Sequence, residues 1–226
     1  MSALGPTRRL RRCLVALVIV AAWALPGAAT ATAIDPRLSE RLDAETAAAV
    51  GDLVQAAQNK GLPTDPLIAR ALEGASRQAP GPRIVAAVRN LSAGLETSRA
   101  ILGMASSPAE LVAAAAALAA GVPADTLARL RAVRANVSLV VPLVVLTDLV
   151  TRRVPIETAG AAVIAATRNR VPDSKLMRLR QRIDQDIRAG ASPGNATILR
   201  TRKLIGTFQG PAGAPPPPTR PPATGL

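Results

Sequence analysis

Residues 119–130 read AAGVPADTLARL, and nearly the same wording returns at residues 59–72, NKGLPTDPLIARAL, and at residues 151–163, TRRVPIETAGAAV. Each copy sets a small residue or an arginine, then an aliphatic residue, then proline, with an acid two positions after the proline. Stretches rich in Ala, Leu and Val flank the copies. Proline is well tolerated at the first position of a helix, where its missing N–H has no partner, and an acid in the first turn faces the positive helix end. Pro63 with Asp65, Pro123 with Asp125 and Pro155 with Glu157 are therefore read as helix starts. Gly61 and Gly121, just before, are read as the C-terminal stops of the preceding helices. The unit is a tight corner between two helices, and its recurrence predicts an all-α chain.

The spacing of the corners carries a second pattern. Pro63 is followed by Pro80 and Pro155 by Pro172, 17 positions on in both cases, and the two pairs lie 92 residues apart. At that offset Asp65 falls on Glu157, Ile84 on Leu176 and Leu91 on Ile183. This is the pattern of two similar helical halves, with Ala-rich coincidence as the alternative. Helices are expected over residues 44–59, 65–77, 82–102, 108–120, 123–134, 139–152, 156–168, 174–188 and 193–205. They pair as antiparallel hairpins, in a bundle or a short irregular helical repeat.

Apolar residues at helical spacing give the core. Val50, Leu53 and Val54, then Ile84, Val85, Val88 and Leu91, then Leu176, Leu179, Ile183 and Ile187 form such stripes. The run VSLVVPLVVLTDLV at residues 137–150 is too short to span a bilayer and is interrupted by Pro142 and Asp148. It is read as the central buried helix, with Asn136 or Ser138 as its cap.

The two ends differ from this body. Arg8, Arg9, Arg11 and Arg12 precede the apolar run CLVALVIVAAWAL, which stops at Pro26 and Gly27 and is followed by small residues. That is the order of a secretory signal peptide. Residues 1–33 are assigned to it, with cleavage after Ala33 or Ala31, and the protein is expected to be exported to a periplasm or the cell exterior. An uncleaved anchor is the alternative. Residues 34–206 form the helical domain, and residues 207–226, rich in Pro and Gly, are expected to be a disordered tail.

Removing the leader removes chemistry with it. The chain has no His and no Tyr, and its single Cys and single Trp, Cys13 and Trp23, both lie before residue 34. What remains has one aromatic residue, Phe208. Cys or His nucleophiles and bases, zinc sites of the usual kind and aromatic platforms for stacking bases are excluded. No cofactor or metal is expected, and no nucleic acid. The acids are scattered, with no couple at i, i+3 or i+4 suited to acid–base work; Asp184 and Asp186 point to different sides of one helix. Three Asn-x-Ser/Thr matches, at Asn90, Asn136 and Asn195, are read as coincidence in a chain of bacterial composition.

Charge is the feature that points to a partner. The formal net charge is +13, yet residues 34–167 balance 13 basic against 12 acidic side chains, whereas residues 168–203 carry ten against three. The last two helices are the basic end of a nearly neutral body. Lys175, Arg178, Arg180, Arg182, Arg188, Arg200, Arg202 and Lys203 are the candidate binding residues for an anionic partner: lipid headgroups, an envelope polymer or an acidic protein. The expected function is that of a non-enzymatic binding or scaffold protein of the bacterial cell envelope. The alternatives are a carboxylate-dependent enzyme acting on a cell-wall polymer and a signal-anchored membrane protein with a helical outer domain.

Overall fold

The computed structural model describes residues 35–208, and these fold into ten helices with no strand among them. In order they are α1 (Pro36–Ser39), α2 (Ala44–Asn59), α3 (Asp65–Ser76), α4 (Gly81–Leu102), α5 (Pro108–Ala119), α6 (Ala124–Val133), α7 (Val140–Thr151), α8 (Ile156–Arg168), α9 (Asp173–Arg188) and α10 (Pro193–Phe208). The fold is all-α, as the corners require. Nine of the ten helices fall where the sequence places them. The short α1 is additional: Asp35 accepts a hydrogen bond from the Arg37 N–H at 2.9 Å, and Leu38 fixes the turn by being fully buried. The assignments to residues 1–33 and to the tail beyond Phe208 lie outside the described residues.

The recurring corner is a Schellman turn followed by proline, and it occurs more often than the sequence words suggest. After α2, the Leu62 N–H bonds back to the Ala57 carbonyl and the Gly61 N–H to the Gln58 carbonyl. The same pair of bonds closes α3, α5, α7, α8 and α9, with Ala79, Val122, Val154, Val171 and Ala191 in the place of Leu62. The residue before each is left-handed: Gly61 (φ 64°), Gln78 (54°), Gly121 (91°), Arg153 (64°), Arg170 (54°) and Gly190 (95°). Leu62, Val122, Val154 and Val171 are buried, so these corners are stapled into the core by their aliphatic residue.

Except at the last corner, where Pro193 opens α10, the corner prolines do not occupy the first helical position. Pro80, Pro123, Pro155 and Pro172 are N-caps, with φ between −52° and −64° and extended ψ, and Pro63 stands one residue before the Thr64 cap. The ring fixes φ where a cap needs it, and the proline carbonyl receives the first helical N–H, as from Ala159 to Pro155 at 2.9 Å. The acid two residues on therefore lies in the first turn, at Asp125 and Glu157.

Two apolar clusters form the interior. One gathers Leu38, Val50, Leu67, Ile84, Val88 and Leu95 from α1–α4, and the other gathers residues from Leu102, at the end of α4, to Ala196 of α10 around Leu127, Leu143, Leu146, Leu149, Val163 and Leu176. Helix α5 belongs to both: Leu111 and Ala115 face the first, Ala113, Ala114 and Ala117 the second. Its alanines allow this double packing; Gly94 of α4 comes so near that an added Cβ would lie 3.4 Å from Ala115 Cβ. Helix α7 is the central buried helix of the second cluster, with Pro142, Leu143, Val145, Leu146 and Leu149 buried. Its start differs from expectation. The cap is Leu139, whose N–H is taken by Glu110 of α5 at 2.9 Å, while Ser138 Oγ accepts only the Val140 N–H, at 3.3 Å. Helix α10 packs on both α8 and α9 and ends the described fold.

Candidate functional site: the basic cleft of α9 and α10

Helix α9 is laid down by its own sequence with cations on one stripe. Lys175, Arg178 and Arg182 stand at i, i+3 and i+7, on one side of a helix whose buried stripe is Leu176, Leu179 and Ile183. Helix α10 contributes Arg200 and Lys203 from its near flank. The five cations surround one cavity of about 200 Å³, with Leu179 and Leu204 as its apolar lining and no carboxylate. Arg200 holds the two helices in register: its Nε and Nη2 donate to Asp186 Oδ2 and Oδ1, both at 2.6 Å. Hydrogen bonding to that guanidinium holds the Asp186 carboxyl below the usual carboxylate range.

The other four cations of the cleft have no acidic partner among the described residues, and Lys175, Arg178, Arg182 and Lys203 are all exposed. Arg178 and Arg182, one turn apart, repel one another, as like charges at that spacing do. An anion between them removes that repulsion, so the chemical capacity of the site is to hold a phosphate, carboxylate or sulfate group against an apolar wall.

The remaining candidate residues lie elsewhere. Arg180 is on the far side of α9, 3.8 Å from Asp148 of α7, and Arg188 pairs within its own helix with Asp184 at 2.9 Å. Arg202 lines a different groove, between α8 and α10, beside Ala161, Ala162, Ala165, Ile198 and Ile205. Asp184 and Asp186 do point apart: Asp184 pairs with Arg152 at the C-terminal cap of α7, Asp186 with Arg200 of α10.

Asp148 and Asp184 meet across Arg152, which pairs with both. The clefts containing Glu40, Glu73, Glu110 and Glu157 hold one carboxylate each. No cluster of His, Cys, Asp or Glu suited to a metal occurs among the described residues, and no described helix is long and apolar enough to cross a membrane. The residues that sequence reading missed are the apolar ones of α10. Ile198, Leu199, Leu204 and Ile205 are more than one buried stripe can use, and that surplus was the available signal.

No protein-family model, curated protein or solved structure matches the chain. Fold and site define it as an all-helical protein with a basic cleft at its C-terminal end.

Proposed function

We propose that the protein is an exported, non-enzymatic binding module of the bacterial cell envelope whose α9–α10 cleft takes an anionic group of its partner. The observation that carries this reading is the set of four unpaired cations, Lys175, Arg178, Arg182 and Lys203, around one cavity without an acid in its lining. A solvated helix face in an otherwise balanced protein would be expected to mix signs, as the α3 face does with Arg70, Glu73 and Arg77. The leader-like residues 1–33 support export and restrict the partners to lipid headgroups, envelope polymers or acidic proteins. Protein recovered from the producing cell should begin at Ile34 or Thr32; recovery with Met1 in place would remove the export part of the reading.

The test of the cleft is titration with inorganic polyphosphate at low and high salt. At about 1 kcal/mol per cation close to an anionic surface, changing Lys175, Arg178, Arg182 and Lys203 together to Gln should weaken binding by roughly a hundredfold or more at low salt. Wild-type binding should itself weaken as salt screens the charges. Arg180→Gln with Arg188→Gln, which removes equal charge per site outside the cleft, should change it little. If the two sets of variants lose affinity in proportion to charge removed, the cleft is no site.

A further inference from the structure

Helix α10 shows solvent more apolar surface than a solvated helix needs. Ile198 is 40% exposed and Leu199 65%. Ile198 stands one turn from Arg202 on the α8 side of α10 and Leu199 one turn from Lys203 on the α9 side, two neighbouring i, i+4 stripes, and both of those cations are exposed and without an acidic partner among the described residues. The other large exposed apolar residues, Met104, Val137 and Val144, stand singly on other segments.

The two flanks of the helix differ in kind. On one lies the basic cleft with α9; on the other, a groove of about 440 Å³ against α8, largely apolar through Ala161, Ala162, Ala165 and Ile205, with Glu157 and Arg202 also in its lining. At 100° per residue, Arg200, Lys203 and Leu204 fall opposite Ile198, Arg202 and Ile205, so one helix forms a wall of both.

We propose that α10 seats the protein on an anionic lipid bilayer, with lipid phosphates in the α9–α10 cleft and Ile198 and Leu199 entering the boundary between headgroups and acyl chains. The proposal rests on the anion-binding reading of the cleft and names its partner. Charge complementarity alone would admit a polyanionic envelope polymer or an acidic protein. A polymer has no apolar phase to receive Ile198 and Leu199, whereas a bilayer offers negative charge and hydrocarbon within a few ångströms of one another. An α10 lying in that plane brings the two stripes, Ile198 with Arg202 and Leu199 with Lys203, to the surface together, so that each apolar side chain enters beside a cation at headgroup level.

The experiment uses the protein from Ile34 onward, which retains both cores, and measures sedimentation with vesicles of phosphatidylglycerol and phosphatidylcholine in equal parts, with vesicles of phosphatidylcholine alone, and titration with polyphosphate. The variant is Ile198→Gln with Leu199→Gln; Met104→Gln, an exposed apolar residue far from α10 in the chain, is the control. The expected result is binding to the phosphatidylglycerol vesicles that the double variant weakens by about tenfold or more. Its affinity for polyphosphate should stay within about twofold of wild type, since the cleft cations are untouched. Equal vesicle affinity of the double variant and Met104→Gln would overturn the proposal, as would equal binding to vesicles of phosphatidylcholine alone. Binding to polyphosphate but to no vesicle would overturn it and leave the cleft as a site for a soluble or polymeric anion. Binding to neither would remove the cleft reading as well.

Discussion

Glu110 is 5% exposed, and its carboxylate joins three segments of the chain. It accepts from the Ser107 N–H at 2.8 Å, which with the Ser107 side chain completes the capping box of α5, from the Leu139 N–H at the start of α7, and from Arg131 Nη2 of α6 at 2.6 Å. Burial opposes its ionisation, but the two backbone N–H bonds and the guanidinium outweigh burial and lower its pKa from 4.5 to about 2. Because the folded value lies below the unfolded one, the stabilisation is full above pH 4.5 and is lost as pH falls toward about 2. At 1.36 kcal/mol per pKa unit the whole effect is about 3 kcal/mol, with more than half gone by pH 3. Glu110→Ala also strands the Arg131 guanidinium, whose side chain is 19% exposed. The variant should therefore be less stable by about 3 kcal/mol at pH 7 and lose much of that deficit at pH 3. Urea unfolding at both values checks it; an equal deficit at both would mean that the carboxylate charge is not what holds α5, α6 and α7 together.

At the scale of the helices, stability is set by the corners. Gly61 has φ 64° and nothing within 4 Å of where a Cβ would stand, so Gly61→Ala meets no neighbour and reports backbone strain alone. It should cost about 1 kcal/mol, the penalty of a left-handed residue carrying a side chain. Arg170 sits at φ 54° in the equivalent turn of α8, and Arg170→Gly should gain up to about 1 kcal/mol. Thermal unfolding of the two variants should move in opposite directions; a shift in the same direction would refute the equivalence of the corners. That equivalence is also why the helix ends were legible. The αL–aliphatic–Pro triplet encodes stop, staple and start within a few residues, so pattern alone located nine helices, misplacing Pro123 and Pro155 by one position and Pro63 by two. Corners at Gly61 and Arg153, and at Gln78 and Arg170, share their conformation 92 residues apart, while α3 packs on α4 and α8 packs on α10. The cleft was half legible. Lys175, Arg178 and Arg182 form a stripe visible in α9 alone, but which flank of α10 meets it depends on packing. That Asp148 and Asp184 take up Arg180 and Arg188 depends on where α7 crosses and on rotamers, neither of which a charge count contains. Ile198 and Leu199 were hidden in the same way, because which of Ile198, Leu199, Leu204 and Ile205 are surplus is decided by α8 and α9.

Across the whole molecule, a neutral two-core body carries the cleft at its C-terminal end, and the question is whether damage at one end reaches the other. Helix α5 answers it physically. Its Leu111 and Ala115 are packed into the first core and its Ala113, Ala114 and Ala117 into the second, and one turn of helix cannot unfold on one side only. Glu110 adds a polar tie from the same helix to α6 and α7. The two cores should therefore unfold together. Leu67 in the first and Leu176 in the second are both fully buried, and Leu67→Ala or Leu176→Ala should each cost about 2–5 kcal/mol. Either substitution should lower the protection of the amides of α3 and α9 by the same amount in native-state hydrogen exchange, because both are lost only in the shared global opening. A Leu67→Ala protein whose α3 amides exchange faster while those of α9 keep wild-type protection would show two independent units. It would also mean that the binding end can stay folded without the first core. With one cooperative unit instead, Leu67→Ala should reduce anion binding only in proportion to the fraction unfolded, with the affinity of the folded cleft unchanged.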